Sequence, residues 1–214
     1  MTMDDQNKDN TAPVKSLPVL CHSVVERYFV RGYKVNLPKG GILSDFCEAK
    51  SNMNDVRILR HSNRICIVTM APTHPALRPG TTITSVSFKV TDKLDRSNNV
   101  VSGKRKRGAQ WLNPSSPLCI VTCDDGAQHT VFCGIRAKLV EMNERLLSKP
   151  KLLQSKTETE GYVAIVMPKL EEANHTMDGL LTAEDYLQYR LKQETLHSVS
   201  SDKSPPTSDS NNKI

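Results

Sequence analysis

Residues 118–133 have the sequence LCIVTCDDGAQHTVFC, in which two short apolar runs lie on either side of DDGA at positions 124–127. Short runs rich in Val, Ile, Thr and Phe are typical of β-strands. An Asp-Gly pair between two such runs predicts a hairpin with a type I′ turn, because that turn needs positive φ at both central residues. We therefore predict a two-stranded β-hairpin with a two-residue Asp125-Gly126 turn.

Further strand-like segments lie on both sides of this hairpin. Residues 82–91 alternate polar and apolar side chains with a period of two, as half-buried strands do. Short apolar runs also lie within residues 64–71, 135–142 and 161–167. Many short strands separated by turn signals every ~8–12 residues predict a small barrel or sandwich.

Helices are predicted only at the two ends of this β-rich body. Apolar residues recur at three- and four-residue spacing within residues 17–30, and residues 182–197 begin with TAED, a start related to the capping box. Most of residues 36–63 is predicted to be loop, because Pro, Gly, Ser and Asn are frequent there.

Composition agrees with a folded body between polar ends. Hydrophobic residues make up 37% of the 214, which excludes a wholly disordered chain. The longest apolar run, residues 162–167, is far shorter than the ~20 residues of a membrane-spanning helix. The polar stretches 1–16 and 198–214 are predicted to be a disordered leader and a disordered Ser/Pro-rich tail around one domain, residues 17–197.

The chain carries a formal net charge of +6, and the domain carries +7. The surface of the domain therefore favours acidic partners such as nucleic acid, anionic lipid or actin.

Cysteine usage indicates a reducing compartment. The N-terminus has no apolar signal segment, so we expect a protein that is not secreted and has no disulfides.

A zinc site is suggested by the residue types of Cys119, Cys123, His129 and Cys133. A two-residue turn puts the first two on one face of the sheet and the last two on the other, although a slip of one residue would bring them together. We interpret them as small buried residues of a barrel wall and predict neither a metal nor a cofactor.

Residues 134–170 resemble the second half of lipoyl-carrier domains of the glycine-cleavage H-protein type. The shared features are VEMNE at 140–144, a Leu-rich turn followed by Pro150, an acidic loop at 158–161, and a strand with a following proline at 162–169. This resemblance implies a mainly β barrel-sandwich hybrid with short flanking helices at both ends and a lipoyl-like core at about residues 60–170.

The carrier chemistry itself is not expected. A lipoyl carrier bears its modified lysine at the tip of the hairpin before the VEVNE strand, whereas the tip at 124–127 holds two aspartates. The nearest lysine downstream, Lys138, falls inside a predicted strand. We therefore predict the fold without lipoylation or biotinylation. An apo-like carrier domain in an enzyme complex is kept as an alternative.

The chain as a whole resembles the Abitram (Simiate) family of actin-binding transcription modulators, over roughly residues 24–190. The resemblance lies in colinear blocks: VERYF at 25–29, HSNRIC at 61–66, VSGKRKRGAQ at 101–110, EGY at 160–162 and GLLT at 179–182. An insert-like stretch at 36–55 and the long tail depart from the family pattern. The resemblance implies binding to monomeric and filamentous actin, effects on actin polymerisation and on filopodia and other cell projections, and a role in transcription. It also implies a location in the nucleus, including speckles, and in the cytoplasm.

The densest charge cluster is a candidate binding site or nuclear localisation signal. It consists of Lys104, Arg105, Lys106 and Arg107, bracketed by Gly103 and Gly108. A solvated loop without a partner is the other interpretation. A nucleic-acid or transcription-complex adaptor acting through this loop is the alternative function, although Trp111 is the one aromatic nearby and single-strand platforms use several.

The C-terminal helix offers a second candidate surface. Ala183, Leu187 and Leu191 recur at i, i+4 and i+8, and the end of the helix loosely resembles the actin-binding WH2 motif. Tyr186, Leu187, Leu191 and Lys192 would then contact actin. The other interpretation is that the same apolar stripe packs on the barrel.

No enzyme signature is found. GxSxG, P-loop and HExxH motifs do not occur in the sequence. His61, Ser62 and Asp55 are the residues from which a triad could be assembled on paper. We therefore expect a non-enzymatic binding protein with no catalytic residues, and of the two candidate surfaces we favour the charged one for actin.

Overall fold

A computed structural model describes residues 23–35 and 54–200, with side chains described as far as Thr195. The predicted leader, residues 17–22 of the predicted N-terminal helix, most of the insert-like stretch and the tail beyond residue 200 lie outside the described residues. Among those described, no helix is both long enough and apolar enough to cross a membrane.

Antiparallel strands dominate the described residues. The strands are β1 Phe29–Lys34, β2 Val56–His61, β3 Cys66–Met70, β4 Ile83–Ser87, β5 Lys89–Thr91, β6 Leu94–Asp95, β7 Trp111–Leu112, β8 Pro117–Cys123, β9 Gln128–Phe132, β10 Ala137–Met142 and β11 Ala164–Met167. They form a six-stranded sheet in the order β1-β2-β3-β11-β10-β7, a three-stranded sheet β4-β8-β9 and a small β5-β6 pair. The helices are α1 Val24–Tyr28, α2 Arg145–Ser148, α3 Leu152–Ser155 and α4 Ala183–Ser200.

One apolar core lies between the two larger sheets. Ile58, Val68 and Leu139 of the six-stranded sheet and Val121 and Val131 of the three-stranded sheet are fully buried in the same cluster. Burial of such side chains from two facing sheets is the main favourable contribution to folding. The predicted fold class, a mainly β barrel-sandwich hybrid with short helices at both ends, is confirmed.

The central hairpin forms, but its turn differs from the prediction. Gly126 has φ of 79°, whereas Asp125 is not in the positive-φ region. The Cys123 N–H donates to the Ala127 carbonyl at 2.9 Å, which closes a three-residue loop of the type I plus bulge kind. The Asp125 carboxylate accepts the Ala127 N–H at 2.9 Å, and this local bond favours the type I conformation.

The altered turn shifts the register by one residue. Val121 lies opposite His129, and Thr122 lies opposite Gln128. Cross-strand partners point to the same face, so Cys119 and Cys123 lie on the face of His129, contrary to the prediction.

Two strands at one edge were missed. Phe29 and Val30 begin β1 instead of ending a helix, and residues 56–61, predicted to be loop, form β2. Strand β2 contains two arginines, which hide its apolar pattern. Arg57 is nevertheless buried, because its guanidinium lies 2.8 Å from the Glu158 carboxylate. At the other end of the chain, α4 reaches Ser200 and so extends into the predicted tail.

The segments that carry the lipoyl-type resemblance contact one another. The Asn143 side-chain amide donates to the carbonyls of Glu160 and Tyr162, each at 2.8 Å. Gly161 packs so closely that a Cβ there would lie 2.0 Å from the Leu152 carbonyl oxygen, so this position requires glycine.

Candidate partner-binding surfaces

The four cations at 104–107 lie on a tightly closed loop. Ser102 and Arg107 exchange two backbone hydrogen bonds of 3.0 and 2.9 Å, and the Lys106 N–H donates to the Gly103 carbonyl at 3.1 Å. Gly108 has φ of 83°, and a Cβ at this position would lie 2.5 Å from the Val100 carbonyl oxygen. Glycine at 108 is therefore needed where the loop returns to the barrel.

The loop presents its charge to solvent. Lys104, Arg105 and Arg107 are exposed, and Lys106 is half-buried. None of the four makes an ion pair with a carboxylate among the described residues. Unpaired cations held on a short loop form a fixed positive patch, which attracts anionic partners at the range of the screening length, about 8 Å at physiological salt.

Trp111 extends this patch along the edge of the six-stranded sheet. Its side chain is 49% exposed, and Lys138 is its cross-strand partner. The Lys138 and Lys169 ammonium groups lie 5.1 and 5.4 Å from the centre of the indole, within cation–π range. The Lys138 ammonium also donates to the Arg105 carbonyl at 3.3 Å, so it links the basic loop to the sheet.

The inner face of α4 is fixed to the barrel by a polar and aromatic cluster. Tyr186 stacks on Tyr33 with ring centres 4.4 Å apart, and its hydroxyl donates to the Asp55 carboxylate at 3.0 Å. Arg190 forms an ion pair with the same carboxylate, and both side chains are buried. The Tyr186 hydroxyl also contacts the Thr73 hydroxyl. Burial and the Asp55 charge raise the pKa of Tyr186 to about 12, so it stays neutral at physiological pH.

The outer face of α4 is exposed. Leu187 and Leu191 are 58% and 56% exposed, and Ala183 and Lys192 face solvent too. The interpretation that this apolar stripe packs on the barrel is therefore wrong. The actin-contacting set predicted on this helix is corrected as well, because Tyr186 is buried against the barrel and only Leu187, Leu191 and Lys192 of that set are exposed.

The structure does not join Asp55 and His61 by a hydrogen bond among the described residues. Its carboxylate is held by Arg190 and Tyr186, whereas the His61 ring nitrogen Nδ1 accepts the Asn63 N–H at 3.2 Å. Of the three residues from which a triad could be assembled on paper, Asp55 and His61 thus have separate hydrogen-bond partners.

The tip of the central hairpin does not fit lipoyl attachment. The exposed Asp124 carboxylate accepts the Thr82 N–H at 3.1 Å, and this hydrogen bond is the main cause that lowers the pKa of Asp124. Lys138, the nearest lysine downstream, lies within β10 and is engaged with Trp111 and the loop. A carrier lysine must stand free at a turn, and no residue of the tip meets that requirement.

Burial makes two thiols near the hairpin unreactive as nucleophiles. Burial raises the pKa values of Cys119 and Cys133 to about 12, which keeps both protonated. Although the shifted register brings Cys119, Cys123 and His129 to one face, the described residues contain no group of three or more His, Cys, Asp or Glu side chains able to hold a metal ion.

Sequence reasoning found the basic loop but missed two features of these surfaces. The contact of Trp111 with Lys138 and Lys169 depends on strand order, which pairs β7 with β10 and β10 with β11. The Asp55–Arg190 ion pair joins residues 135 positions apart. A lone Asp before an apolar run and a lone Arg within a helix give no local signal of such a pair.

Several curated proteins that share one name are similar to this chain over most of its length. No family model matches the chain. The curated proteins named "Protein Abitram" from chicken and human are 46% identical over 174 residues and 44% identical over 183 residues. These alignments cover 81% and 86% of this chain and 94% of each relative. The protein of the same name from Dictyostelium discoideum is 30% identical over 78% of this chain and 88% of its own length.

Among solved structures, a glycine cleavage system H protein from Mycobacterium marinum is similar to this chain, with a TM-score of 0.41 and 14% sequence identity. The similarity covers 59% of this chain and 79% of that protein.

Proposed function

Because the chain belongs to the Abitram family, we propose that it is a non-enzymatic actin-binding protein. It binds monomeric and filamentous actin and modulates polymerisation and the dynamics of filopodia and other cell projections. It has a second role, in transcription. The protein is located in the nucleus, including speckles, and also in the cytoplasm and in actin-rich projections.

The observation that carries this proposal is the exposed, unpaired positive patch of the basic loop. Four cations within one turn, none of them in an ion pair with a described carboxylate, form the most concentrated charge in the sequence. An acidic protein surface is the matching partner. We assign the actin contact to residues 104–107, with the outer face of α4 as the competing surface.

Co-sedimentation of the full chain with actin filaments tests this assignment, together with pull-down of monomeric actin, both over a range of salt concentration. A charge-driven contact weakens steeply between about 0.05 and about 0.3 M salt, because the screening length falls over this range. Replacing all of Lys104, Arg105, Lys106 and Arg107 by Ala is expected to weaken binding severalfold.

The matched control is a Leu187→Ser, Leu191→Ser variant, expected to bind actin as the wild type does. Truncation of α4 is a poorer control, because it would remove Arg190 from the buried Asp55 carboxylate. Loss of binding in the leucine variant, with the alanine variant unchanged, would assign the contact to α4. Tighter binding of RNA or DNA than of actin at physiological salt would favour the adaptor function instead.

A further inference from the structure

A groove beside the basic loop combines cationic with apolar side chains, and its apolar residues have no part in the proposed function. Its volume is about 440 Å³, within the ~300–1,000 Å³ usual for ligand sites. The side chains that line it come from three separate segments: Asn63, Arg64, Lys104, Arg105, Met167, Pro168 and Leu170. The groove therefore depends on the folded arrangement of the β2-β3 turn, the basic loop and the end of β11.

The rim of the groove is cationic. Arg64, Lys104 and Arg105 line it, and all three are exposed. No Asp or Glu occurs among the described lining residues. A bound group with negative charge would be attracted by these three cations, since none of the described lining residues is a carboxylate.

One wall of the groove is apolar. Met167, Pro168 and Leu170 form it, and Leu170 is 72% exposed. A leucine left this open next to three cations is apolar surface that a partner with an aliphatic or aromatic side chain would remove from water.

We propose that this groove binds a short acidic segment of a partner protein, with carboxylates on the cationic rim and one apolar side chain against Leu170 and Met167. The proposal shares the basic loop with actin binding but does not require actin to be the partner. The peptide that this surface would recognise is rich in Asp or Glu and is interrupted by a large apolar residue.

Nucleic acid fits the groove less well. The apolar wall of the groove is aliphatic and has no aromatic ring on which a base could stack. The one indole nearby, Trp111, has two ammonium groups within 5.4 Å of its centre, so a base that stacked there would displace them. Charge on the rim together with an aliphatic wall favours a peptide.

Fluorescence anisotropy with the full chain tests the proposal. The probes are a short labelled peptide of alternating Asp and Leu, a peptide of equal length and charge in which Ser replaces Leu, and oligothymidylate of equal charge. The Asp-Leu peptide is expected to bind about tenfold more tightly than either of the others, because only it can bury apolar area against Leu170.

Two pairs of variants separate the rim from the wall. Leu170→Ser should weaken the Asp-Leu peptide about tenfold and leave the Asp-Ser peptide unchanged, while Leu147→Ser, at a leucine of similar exposure in α2, changes neither. Lys104→Gln should weaken both peptides about two- to fivefold. Lys93→Gln, at an exposed lysine outside the groove lining, should have no effect.

Equal affinity of the two peptides would overturn the proposal, because it would show attraction by charge alone. Tightest binding of oligothymidylate, lost in a Trp111→Ala variant, would overturn it in favour of a nucleic-acid site. Filament co-sedimentation of Leu170→Ser is measured in parallel, so a failure of peptide binding and a failure of actin binding are seen separately.

Discussion

Cationic side chains have opposite surroundings in two regions of this molecule. Under α4, Arg190 is buried and paired with Asp55, which also accepts a hydrogen bond from Tyr186. In the basic loop, Lys104 and Arg105 are exposed and make no ion pair with a described carboxylate. A buried charge needs its partner, so it fixes structure, whereas an exposed unpaired charge costs little and remains available for binding.

The largest effect expected from this comparison is on the buried side. Asp55→Ala leaves the Arg190 guanidinium buried without a counter-charge and removes the acceptor of the Tyr186 hydroxyl. We expect a loss of about 3–5 kcal/mol in the free energy of unfolding. Urea denaturation followed by circular dichroism measures it.

Leu187→Ser on the outer face of the same helix is the control and should change stability by less than about 0.5 kcal/mol. A loss below about 1 kcal/mol for Asp55→Ala would mean that the ion pair does not fix α4 to the barrel.

A smaller effect is expected from pH at a buried neutral histidine. Burial lowers the pKa of His74 from 6.5 to about 3, so below pH 6.5 the unfolded chain takes up a proton that the folded chain does not. The contribution of His74 to stability is therefore present above pH 6.5 and is lost as pH falls from 6.5 towards 3. Between about pH 7 and about pH 5 the loss is about 2 kcal/mol.

His74→Asn tests this pH dependence. Asn retains an acceptor for the Ala76 N–H, which His74 Nδ1 now accepts at 3.2 Å, but does not titrate. The free energy of unfolding of the variant should fall less steeply between these pH values than that of the wild type. Some dependence should remain from His129, whose pKa burial also lowers. Identical slopes for the two proteins would contradict the assignment.

The sequence allowed the β-rich fold and the basic loop to be predicted, because both have local signals. The alternation of polar and apolar residues, the Asp-Gly pair and the glycines on either side of the basic loop can each be recognised within a few residues. The turn type was wrong because Asp125 bonds to its own turn, a competition that the Asp-Gly pattern does not reveal. Strand β2 was missed because the pairing of Arg57 with Glu158, far away in the sequence, is what permits its burial.

Helix α4 shows a second limit of prediction from sequence. Its apolar stripe predicted a packed face, yet Tyr186 and Arg190 provide the packed face and Leu187 and Leu191 remain outside. A count of apolar residues cannot identify the inner face when an ion pair and an aromatic stack determine how the helix docks.

The smallest effect on stability is expected in the basic loop, where the largest effect on location should occur. Replacing all of Lys104–Arg107 by Ala removes four cations that make no ion pair with a described carboxylate, so the melting temperature should change by no more than about 2 °C. The loop should keep its shape, since its two closing hydrogen bonds join backbone groups of Ser102 and Arg107.

If the loop is the proposed nuclear localisation signal, the nuclear-to-cytoplasmic ratio of the tagged variant in cells should fall. A chain of 23.8 kDa also diffuses through nuclear pores, so a lower ratio, not complete exclusion, is expected. An unchanged ratio with an unchanged melting temperature would leave the loop to actin or the peptide groove alone, whereas a large drop in melting temperature would contradict the contrast between the two regions.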